Sequence, residues 1–308
     1  MRFTLTDEQT GLARSLDDLL SKADTAAVNR AWADADHESG LKLWSRLADI
    51  GVTVLATEAT PVEVCIAFEA LGRHAVPGPW VESAAYLPVA LPKADFSEKR
   101  ATVAVPPHVP YALDADVAEE LYVVAEDELH TATVGDPVAS IDGTRHLFTP
   151  ALGGRVPLER GVSRPLLDDA FNLAALATSA QLLGLGERVL TDTVAYAKQR
   201  KQFGREIGSY QAIKHQLADV RIALDFARPL VFGAAVDPTA RSVSAAKIQS
   251  ADAANLAARV GLQVHGAIGY TEEYDLSRWL LRIRALQSAW GTPAYHRERL
   301  LTDLLDAR

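Results

Sequence analysis

The stretch Arg200-Lys201-Gln202-Phe203-Gly204-Arg205, followed three residues later by Ser209-Tyr210-Gln211, separates two long helical patterns. An arginine side chain can bind a phosphate group through two parallel N–H donors. A helix that begins near Ser209 would offer free backbone N–H groups to the same anion. Taken alone, the stretch is equally typical of a polar turn between helices with solvated basic side chains. It therefore predicts an anion-binding loop only if the rest of the chain supports one.

Helical periodicity surrounds this loop over the C-terminal half of the chain. Apolar residues recur at helical spacing in five segments, and the second segment is expected to end at Pro229. Long helices joined by short loops are typical of an antiparallel bundle. The sequence therefore predicts a C-terminal helical bundle over residues 161–308. Its helices are expected over residues 168–198, 209–228, 243–265, 276–286 and 295–304.

The first part of the chain also has helical spacing. Thr6 or Asp7 can cap the first helix, and Gly51 follows the second helix in the position that a C-terminal glycine prefers. A third helix begins at Pro61 and is expected to stop at Gly72. A short helix that stops before Pro88 completes an N-terminal helical domain over residues 1–98. The four helices are expected over residues 6–21, 37–49, 61–71 and 81–87.

The middle of the chain has a different character. Its apolar runs are short, rich in β-branched residues and interrupted by Pro, Asp and Gly, as is typical of strands. The sequence therefore predicts a small middle β domain over residues 99–160, and a fold that is mainly α with this one β unit. The expected strands lie at residues 101–105, 120–125 and 129–134, with a turn into a fourth over 141–148.

Composition excludes several classes of function. The net charge of −9 argues against nucleic acid as a partner. The single cysteine, Cys65, excludes an internal disulfide and a cysteine-ligated metal. The eight histidines are scattered along the sequence, so we expect no metal site. No apolar run has the length of a signal peptide or a membrane span, so we expect a soluble cytoplasmic protein without membrane contact.

Three familiar catalytic motifs are missing from the sequence. Gly184 and Gly186 lie inside a helical pattern without a third glycine, and the sequence has neither a P-loop nor a nucleophile elbow. Two further stretches stand out. Gln263-Val-His-Gly266-Ala-Ile-Gly269 follows the third bundle helix, and Ser288-Ala-Trp290-Gly-Thr292 follows the fourth. Each alone is typical of an ordinary helix end.

Together these stretches resemble the acyl-CoA dehydrogenase family. An Arg-x-x-Phe-Gly loop, a glutamine eight residues after the phenylalanine, Gln-x-x-Gly-x-x-Gly and a Gly-Thr pair occur in the family's order. Leu43-Trp44 and Phe68-Glu-Ala-Leu-Gly-Arg73 are similar to the family's first helical domain. The resemblance implies an acyl-CoA dehydrogenase-like fold with helices, a β domain and a helical bundle in this order.

The resemblance also implies a cofactor and partners. The family binds FAD between the β domain and the bundle, and the adenosine diphosphate end reaches into the neighbouring subunit. Arg200 would then pair with the pyrophosphate. An acyl-CoA substrate and an electron-transfer flavoprotein as acceptor are implied as well. The remaining residues expected at the FAD are Gln202, Phe203, Gln211, Gln263, His265, Gly266, Ala267 and Thr292.

The catalytic base of the family is missing. That base is a glutamate directly before Gly-Thr, and this sequence has Trp290 there. An indole N–H only donates, so it cannot remove a proton. The alternative position of the glutamate falls near Ala174, among apolar neighbours. Glu187, the next carboxylate after that position along the helix, is thirteen residues on, or roughly 20 Å along the axis.

The middle domain departs from the family too. Pro106-Pro-His-Val-Pro110 and the residues after it replace the Ser/Thr-Glu-Pro run and the Gly-Ser pair that contact flavin. The chain thus resembles the shorter, base-lacking subunit of actinobacterial heteromeric dehydrogenases that act on steroid side chains. The resemblance implies an α2β2 assembly in which a larger acyl-CoA dehydrogenase subunit supplies the base.

Two alternatives stay open at this point. A self-sufficient homomeric enzyme would need a relocated base, for which Glu272, Glu273 and Asp275 are the first candidates. A structural or regulatory subunit on the same scaffold would bind no flavin.

Overall fold

The computed structural model describes residues 4–156, 163–271 and 274–306. The N-terminal part of this structure is helical. Helix α1 begins at a capping box, in which Thr6 Oγ1 accepts from the Gln9 backbone N–H at 3.2 Å and Gln9 Oε1 accepts from the Thr6 N–H at 3.0 Å. The helices of this part are α1 (Asp7–Ser21), α2 (Thr25–Ala33), α3 (Glu38–Asp49), α4 (Leu55–Glu58), α5 (Pro61–Arg73) and α6 (Leu87–Ala90).

Four features of this part differ from the predictions, and the first is the short helix α4, which was not predicted. Helix α2 was not predicted, and it begins where Asp24, at a φ of 43°, accepts from the Ala27 N–H. Helix α5 continues past Gly72 to Arg73. Gly72 lies inside the helix because the backbone at Gln181 approaches it too closely for a side chain. The helical path at residue 81 continues past Pro88 to Ala90, since a proline in the first turn of a helix costs no hydrogen bond.

A five-stranded sheet occupies the middle of the chain. Its strand order is β1-β3-β4-β5-β2, and neighbouring strands are antiparallel except for the parallel pair β1 and β3. The predicted strands are confirmed, while the two-residue β2 is too short for periodicity to detect. The strands are β1 (Ala101–Ala104), β2 (Ala112–Leu113), β3 (Glu120–Ala125), β4 (Glu128–Val138) and β5 (Leu147–Arg155).

The C-terminal part is the predicted helical bundle. One expected boundary is wrong, because the second bundle helix passes through Pro229 and ends at Val236. Beyond the proline, Val231 and Ala234 are buried in the core, and this packing holds the last turns in place. The bundle helices are α7 (Arg164–Gln199), α8 (Gln211–Val236), α9 (Ala240–His265), α10 (Leu276–Ser288) and α11 (Pro293–Asp306).

Helices α5 and α7 pack backbone to backbone through two glycines. A Cβ on Gly184 would lie 2.0 Å from the carbonyl oxygen of Glu69, and one on Gly72 would lie 2.2 Å from that of Gln181. Neither contact is possible for a larger residue. The N-terminal helices and the bundle therefore share one core at this crossing.

A buried arginine joins all three parts of the fold. The Arg282 guanidinium, on α10, donates to the Asp142 carboxylate and the Thr144 hydroxyl in the β4–β5 connection. It also donates to the Val76 carbonyl at 3.3 Å. Burial opposes ionisation of Asp142, but Arg282 holds the pKa of that carboxyl below its usual value.

Among the described helices, none combines the length and apolar character that crossing a membrane requires.

Candidate functional site

A two-stranded hairpin carries the stretch between α7 and α8. Strand β6 (Lys201–Gln202) pairs with β7 (Arg205–Glu206), a hairpin that the helical pattern did not predict. Phe203 and Gly204 form its turn at φ values of 52° and 82°, as two-residue hairpin turns require. The Phe203 side chain is 94% exposed. The whole ring at this hairpin tip is therefore accessible to another molecule.

The polar side chains around this hairpin are also exposed. Arg200, Gln202 and Gln211 lie on the surface. Within the described ranges, no hydrogen bond or ion pair joins any of these three side chains to another residue. Helix α8 begins at Gln211 after a short 3₁₀ turn, and no side chain caps its first N–H groups. The predicted anion-binding elements are therefore present and unoccupied by protein groups.

The loop after α9 lies beside the hairpin. The His265 ring at the end of α9 stacks on the ring of Tyr196 near the end of α7, with 4.2 Å between centroids. Gln263 and Ala267 are exposed, and Gly266 has a φ of 64° with open space where a Cβ would stand. This stack places the starts of the two loops at the same end of the bundle. The hairpin surface consists of Arg200, Gln202, Phe203, Gln211, Gln263, Gly266 and Ala267.

Two predicted cofactor residues do not join the hairpin surface. The His265 side chain is 5% exposed, and its Nδ1 lies 2.7 Å from the Gly261 carbonyl oxygen. Through its stack on Tyr196, the His265 ring connects the end of α9 to the end of α7. Thr292 caps α11 by accepting from the Tyr295 N–H at 3.1 Å. It follows the 13-residue helix α10, which separates it from the loop after α9 by about 20 Å.

Trp290 fills the position of the expected base. It is 1% exposed, with a φ of 55°, directly after the end of α10. Its ring lies 5.0 Å from that of Tyr86 and 6.0 Å from that of Phe171, measured between centroids. Trp290 therefore offers no base, and it also packs in an aromatic cluster that closes the region around the base position.

Buried polar groups fix the backbone around Trp290. Lys247 Nζ donates to the carbonyls of Leu286, Gln287 and Gly291, each at 3.2 Å. Burial lowers the pKa of Lys247 to about 7. These bonds satisfy carbonyls at the end of α10, where a donor or a positive charge is favourable. The turn that carries Trp290 is therefore held rigidly.

The carboxylates considered as a base are engaged elsewhere. Glu187 forms a two-point ion pair with Arg221, at 2.7 and 2.6 Å. Burial alone would raise the pKa of Glu187, but Arg221 and then Arg228 bring it below its usual value. Asp275 is partly exposed and pairs with Arg30 at 2.6 Å. Ala174 is fully buried, and Glu272 and Glu273 lie outside the described residues.

One buried carboxylate near Trp290 was missed by sequence reasoning. Glu82 is 1% exposed, and its Oε2 has no hydrogen-bond partner among the described residues. Burial raises the pKa of Glu82, against the opposing effects of Arg145 and of a hydrogen bond from Trp290. No periodicity marks Glu82, because it lies on an irregular helical turn ahead of a proline.

Two small cavities flank His108 at the sheet–bundle junction. One, of about 280 Å³, is lined by residues such as Ile141 and Ala289. The other, of about 230 Å³, is lined by residues such as Arg164 and Phe171. Ligand pockets usually measure about 300–1,000 Å³, so neither cavity matches a large cofactor.

Two histidines that are far apart in the sequence lie close together in the structure. Nε2 of His37 and Nδ1 of His146 lie 3.4 Å apart, although the residues are 109 positions apart in sequence. Asp116 completes a group whose ligand atoms lie within 4.8 Å of one another. Nothing in the local sequence pattern could have brought these residues together.

Comparisons with known proteins agree with the sequence motifs. The family model "Acyl-CoA dehydrogenase, C-terminal domain" matches residues 165–305. The acyl-CoA dehydrogenase IpdE2 of Mycobacterium tuberculosis is 28% identical over 98% of this chain and 98% of its own length.

Two solved structures have the same fold as the chain. One is the ChsE4-ChsE5 complex from Mycobacterium tuberculosis, with a TM-score of 0.85 and 22% identity over 99% of both chains. The other is a variant of the Tcur3481-Tcur3483 steroid acyl-CoA dehydrogenase, with a TM-score of 0.83 and 20% identity over 99% of both chains. The family model thus assigns the bundle, residues 165–305, to the C-terminal domain of the acyl-CoA dehydrogenases, whose members are flavoproteins, and the chain is similar to one such dehydrogenase over nearly its whole length.

Proposed function

We propose that the chain is the base-lacking subunit of a heteromeric, FAD-dependent acyl-CoA dehydrogenase. One observation carries the proposal. The position of the base is a buried aromatic plug at Trp290, while the hairpin surface with Arg200 is exposed and has unpartnered polar groups. A self-sufficient enzyme would need an accessible proton-accepting side chain at the base position, which Trp290 does not provide.

The hairpin surface fits the adenosine diphosphate end of FAD. The Arg200 guanidinium can hold the pyrophosphate, and the free N–H groups at the start of α8 can add to it. The side-chain amides of Gln202, Gln211 and Gln263 can bind polar edges of the nucleoside, and Phe203 can pack against it or against the partner. All these groups are free of internal partners in the described structure, as a site for an external ligand requires.

The ring end of FAD does not fit the chain in the same way. The cavities beside His108 are about 280 and 230 Å³, and the region near Trp290 is closed by aromatic rings. The reactive end of the cofactor therefore belongs to a partner. That partner is a larger acyl-CoA dehydrogenase subunit with a glutamate at the base position, and an α2β2 assembly follows the arrangement in the family's heteromeric members.

The two subunits therefore have different roles, because each binds a different end of FAD. A bound FAD would supply the hydride acceptor for the β-carbon of an acyl-CoA thioester. The partner's base removes the α-proton, so the product is the α,β-unsaturated thioester. This chain holds the nucleotide tail and orients it against the partner. A steroid side chain is the proposed acyl group, because one solved relative is named a steroid acyl-CoA dehydrogenase, and an electron-transfer flavoprotein is the proposed acceptor.

We place the division of the chain at residues 1–98, 99–160 and 161–308. The middle segment then contains the whole five-stranded sheet. In the proposed assembly, the last segment carries the cofactor tail and the subunit contacts.

The test is substitution of Arg200 in the co-expressed complex. Arg200→Ala should weaken FAD retention about 10- to 100-fold, since a charge-assisted two-point contact to phosphate is lost. Arg241→Ala is the matched control, because Arg241 pairs with Asp303 at the other end of the bundle. Bound FAD is measured per complex after gel filtration. Equal FAD retention by both variants would contradict the proposal.

A further inference from the structure

Two histidines and an aspartate converge where the N-terminal helices meet the sheet. His37 is the residue before α3, Asp116 lies in the connection after β2, and His146 directly precedes β5. Nε2 of His37 is 3.4 Å from Nδ1 of His146 and 3.7 Å from Oδ2 of Asp116. The third distance, from His146 Nδ1 to Asp116 Oδ2, is 3.9 Å. Three distant segments thus bring three ligand atoms to one point.

The spacing of these atoms matches the radius of a coordinated metal ion. The point equidistant from the corners of a triangle with sides of 3.4, 3.7 and 3.9 Å lies about 2.1 Å from each corner. Zinc binds imidazole nitrogen and carboxylate oxygen at about 2.0–2.2 Å. An ion could therefore enter without a change in the backbone, and three protein ligands would leave a further position for water.

Direct hydrogen bonds do not account for this convergence. Distances of 3.7 and 3.9 Å exceed the range of a hydrogen bond, and the two imidazole nitrogens can share only one proton at 3.4 Å. The side chains of His37, His146 and Asp116 are 15%, 20% and 32% exposed, so solvent reaches the group without filling it. A cation between the three atoms satisfies all of them at once.

A buried carboxylate beside the group is a second, independent indication. Asp114 is 0% exposed, and its Oδ1 lies 3.5 Å from Nδ1 of His146. Oδ1 accepts from the Trp32 indole N–H at 3.3 Å, whereas Oδ2 has no partner among the described atoms. A buried carboxylate oxygen without a partner is costly unless a positive charge lies nearby. Arg145 and Arg282 already place positive charge near this carboxylate, and a bound cation would add to it.

We propose that His37, His146 and Asp116 bind a divalent first-row transition ion, for which Zn²⁺ is the best match to the donor atoms and distances. Imidazole with carboxylate is a donor set that such ions accept, and it is poor for Ca²⁺ or Mg²⁺. Because the ligands come from the helical part and from two segments of the β region, the ion links these parts of the fold. This site is separate from the hairpin surface and from Trp290.

The experiment measures Zn²⁺ binding to the full chain after a chelator has removed any bound metal. Calorimetry gives the affinity, and metal analysis gives the amount of Zn²⁺ bound. The native chain should bind one Zn²⁺, and Zn²⁺ should raise its Tm by a few degrees, since a ligand that binds only the folded state stabilises it. His37→Ala and His146→Ala should each weaken binding by at least about 100-fold and abolish the Tm shift. His215→Ala, at an exposed position on α8, should bind as the native chain does.

Asp116→Asn provides a milder variant if the histidine variants fail to fold. It keeps the shape of the side chain and removes its charge, so it should fold and bind Zn²⁺ more weakly. Circular dichroism without metal checks the folding of every variant. Zn²⁺ binding that is equal in the native chain, His146→Ala and Asp116→Asn would overturn the proposal, as would the absence of binding to the native chain.

Discussion

Nε2 of His296 donates a hydrogen bond to the backbone carbonyl of Trp290 over 2.9 Å. A carbonyl only accepts, so the proton of this neutral imidazole is on Nε2, and Nδ1 can accept from the Ser244 hydroxyl at 3.1 Å. The bond holds Trp290 at its positive φ of 55°, which a bulky residue adopts only under constraint. The base position of the family is therefore a fixed structural element in this chain.

Replacing Trp290 with glutamate, the catalytic base of the family, should not make the chain an active enzyme. Trp290→Glu removes a buried ring and buries a carboxyl among aromatic side chains, so we expect a loss of about 3–5 kcal/mol in the free energy of unfolding. The chain alone should still show no acyl-CoA dehydrogenase activity. Urea unfolding and a dye-reduction assay measure the two quantities. Trp290→Phe is the control, with an expected loss below about 2 kcal/mol. Activity in the purified glutamate variant would contradict the account.

The α5–α7 crossing predicts a strict requirement for glycine. Gly184→Ala would place a Cβ 2.0 Å from the Glu69 carbonyl oxygen, and two rigid helices would have to separate. We expect a loss of about 3 kcal/mol from this overpacking, measured by urea unfolding. Gly11→Ala is the matched control, because nothing lies within 4 Å of its Cβ on α1. That change should stabilise the chain by about 0.5–1 kcal/mol. Similar effects of both changes would show that the crossing is not tight.

The Arg282–Asp142 pair predicts a large effect from a small change. Asp142→Asn keeps the shape of the side chain but leaves the buried guanidinium without its carboxylate. We expect a loss of about 3–5 kcal/mol in the free energy of unfolding. Asp127→Asn breaks a solvent-exposed pair with Arg164 and should leave the free energy of unfolding nearly unchanged, because water screens this pair. Equal losses would mean that Arg282 does not join the three parts of the fold.

Acid should destabilise the chain through His296. Burial lowers the pKa of His296 from 6.5 to about 4, so between these values the unfolded chain binds a proton that the folded chain does not. The free energy of unfolding therefore falls as the pH is lowered from about 6.5 to about 4, by about 1.4 kcal/mol per pH unit for this residue.

The pH dependence is measured by urea unfolding at several pH values. Burial lowers the pKa of His74 to about 4 as well, so it contributes a slope of the same sign. His296→Gln should flatten the dependence in part, and His215→Gln, at an exposed position, should leave it unchanged. A slope that is the same with and without His296 would contradict this assignment.

Local signals in the sequence predicted most of the fold. Periodicity located the long helices and the larger strands, and Thr6 and Pro61 marked two helix starts. The errors have a common cause in tertiary packing. Gly72 looks like a helix stop, yet it lies inside α5 because α7 approaches it. Pro229 looks like a helix end, yet buried residues on both sides hold α8 together.

The sequence predicted only those parts of the candidate site that continuous motifs form. The exposed motif residues Arg200 and Gln263 lie at the same end of the bundle, because the ends of α7 and α9 contact each other through Tyr196 and His265. His265 and Thr292 do not share that surface, since sequence order does not reveal which way a side chain faces or which end of a helix it occupies. The division into three domains and the cofactor roles stay predictions. The group of His37, Asp116 and His146 depends on contacts between distant segments, which a single sequence does not show.

The visible absorption spectrum of the purified protein tests the central claim most directly. The chain should be measured alone and after co-expression with a larger acyl-CoA dehydrogenase subunit that carries the base glutamate. The account predicts a colourless, inactive chain and a yellow complex that contains both subunits, with FAD bound and with activity on an acyl-CoA. A chain that is yellow and active by itself would contradict it, as would a stable complex without FAD.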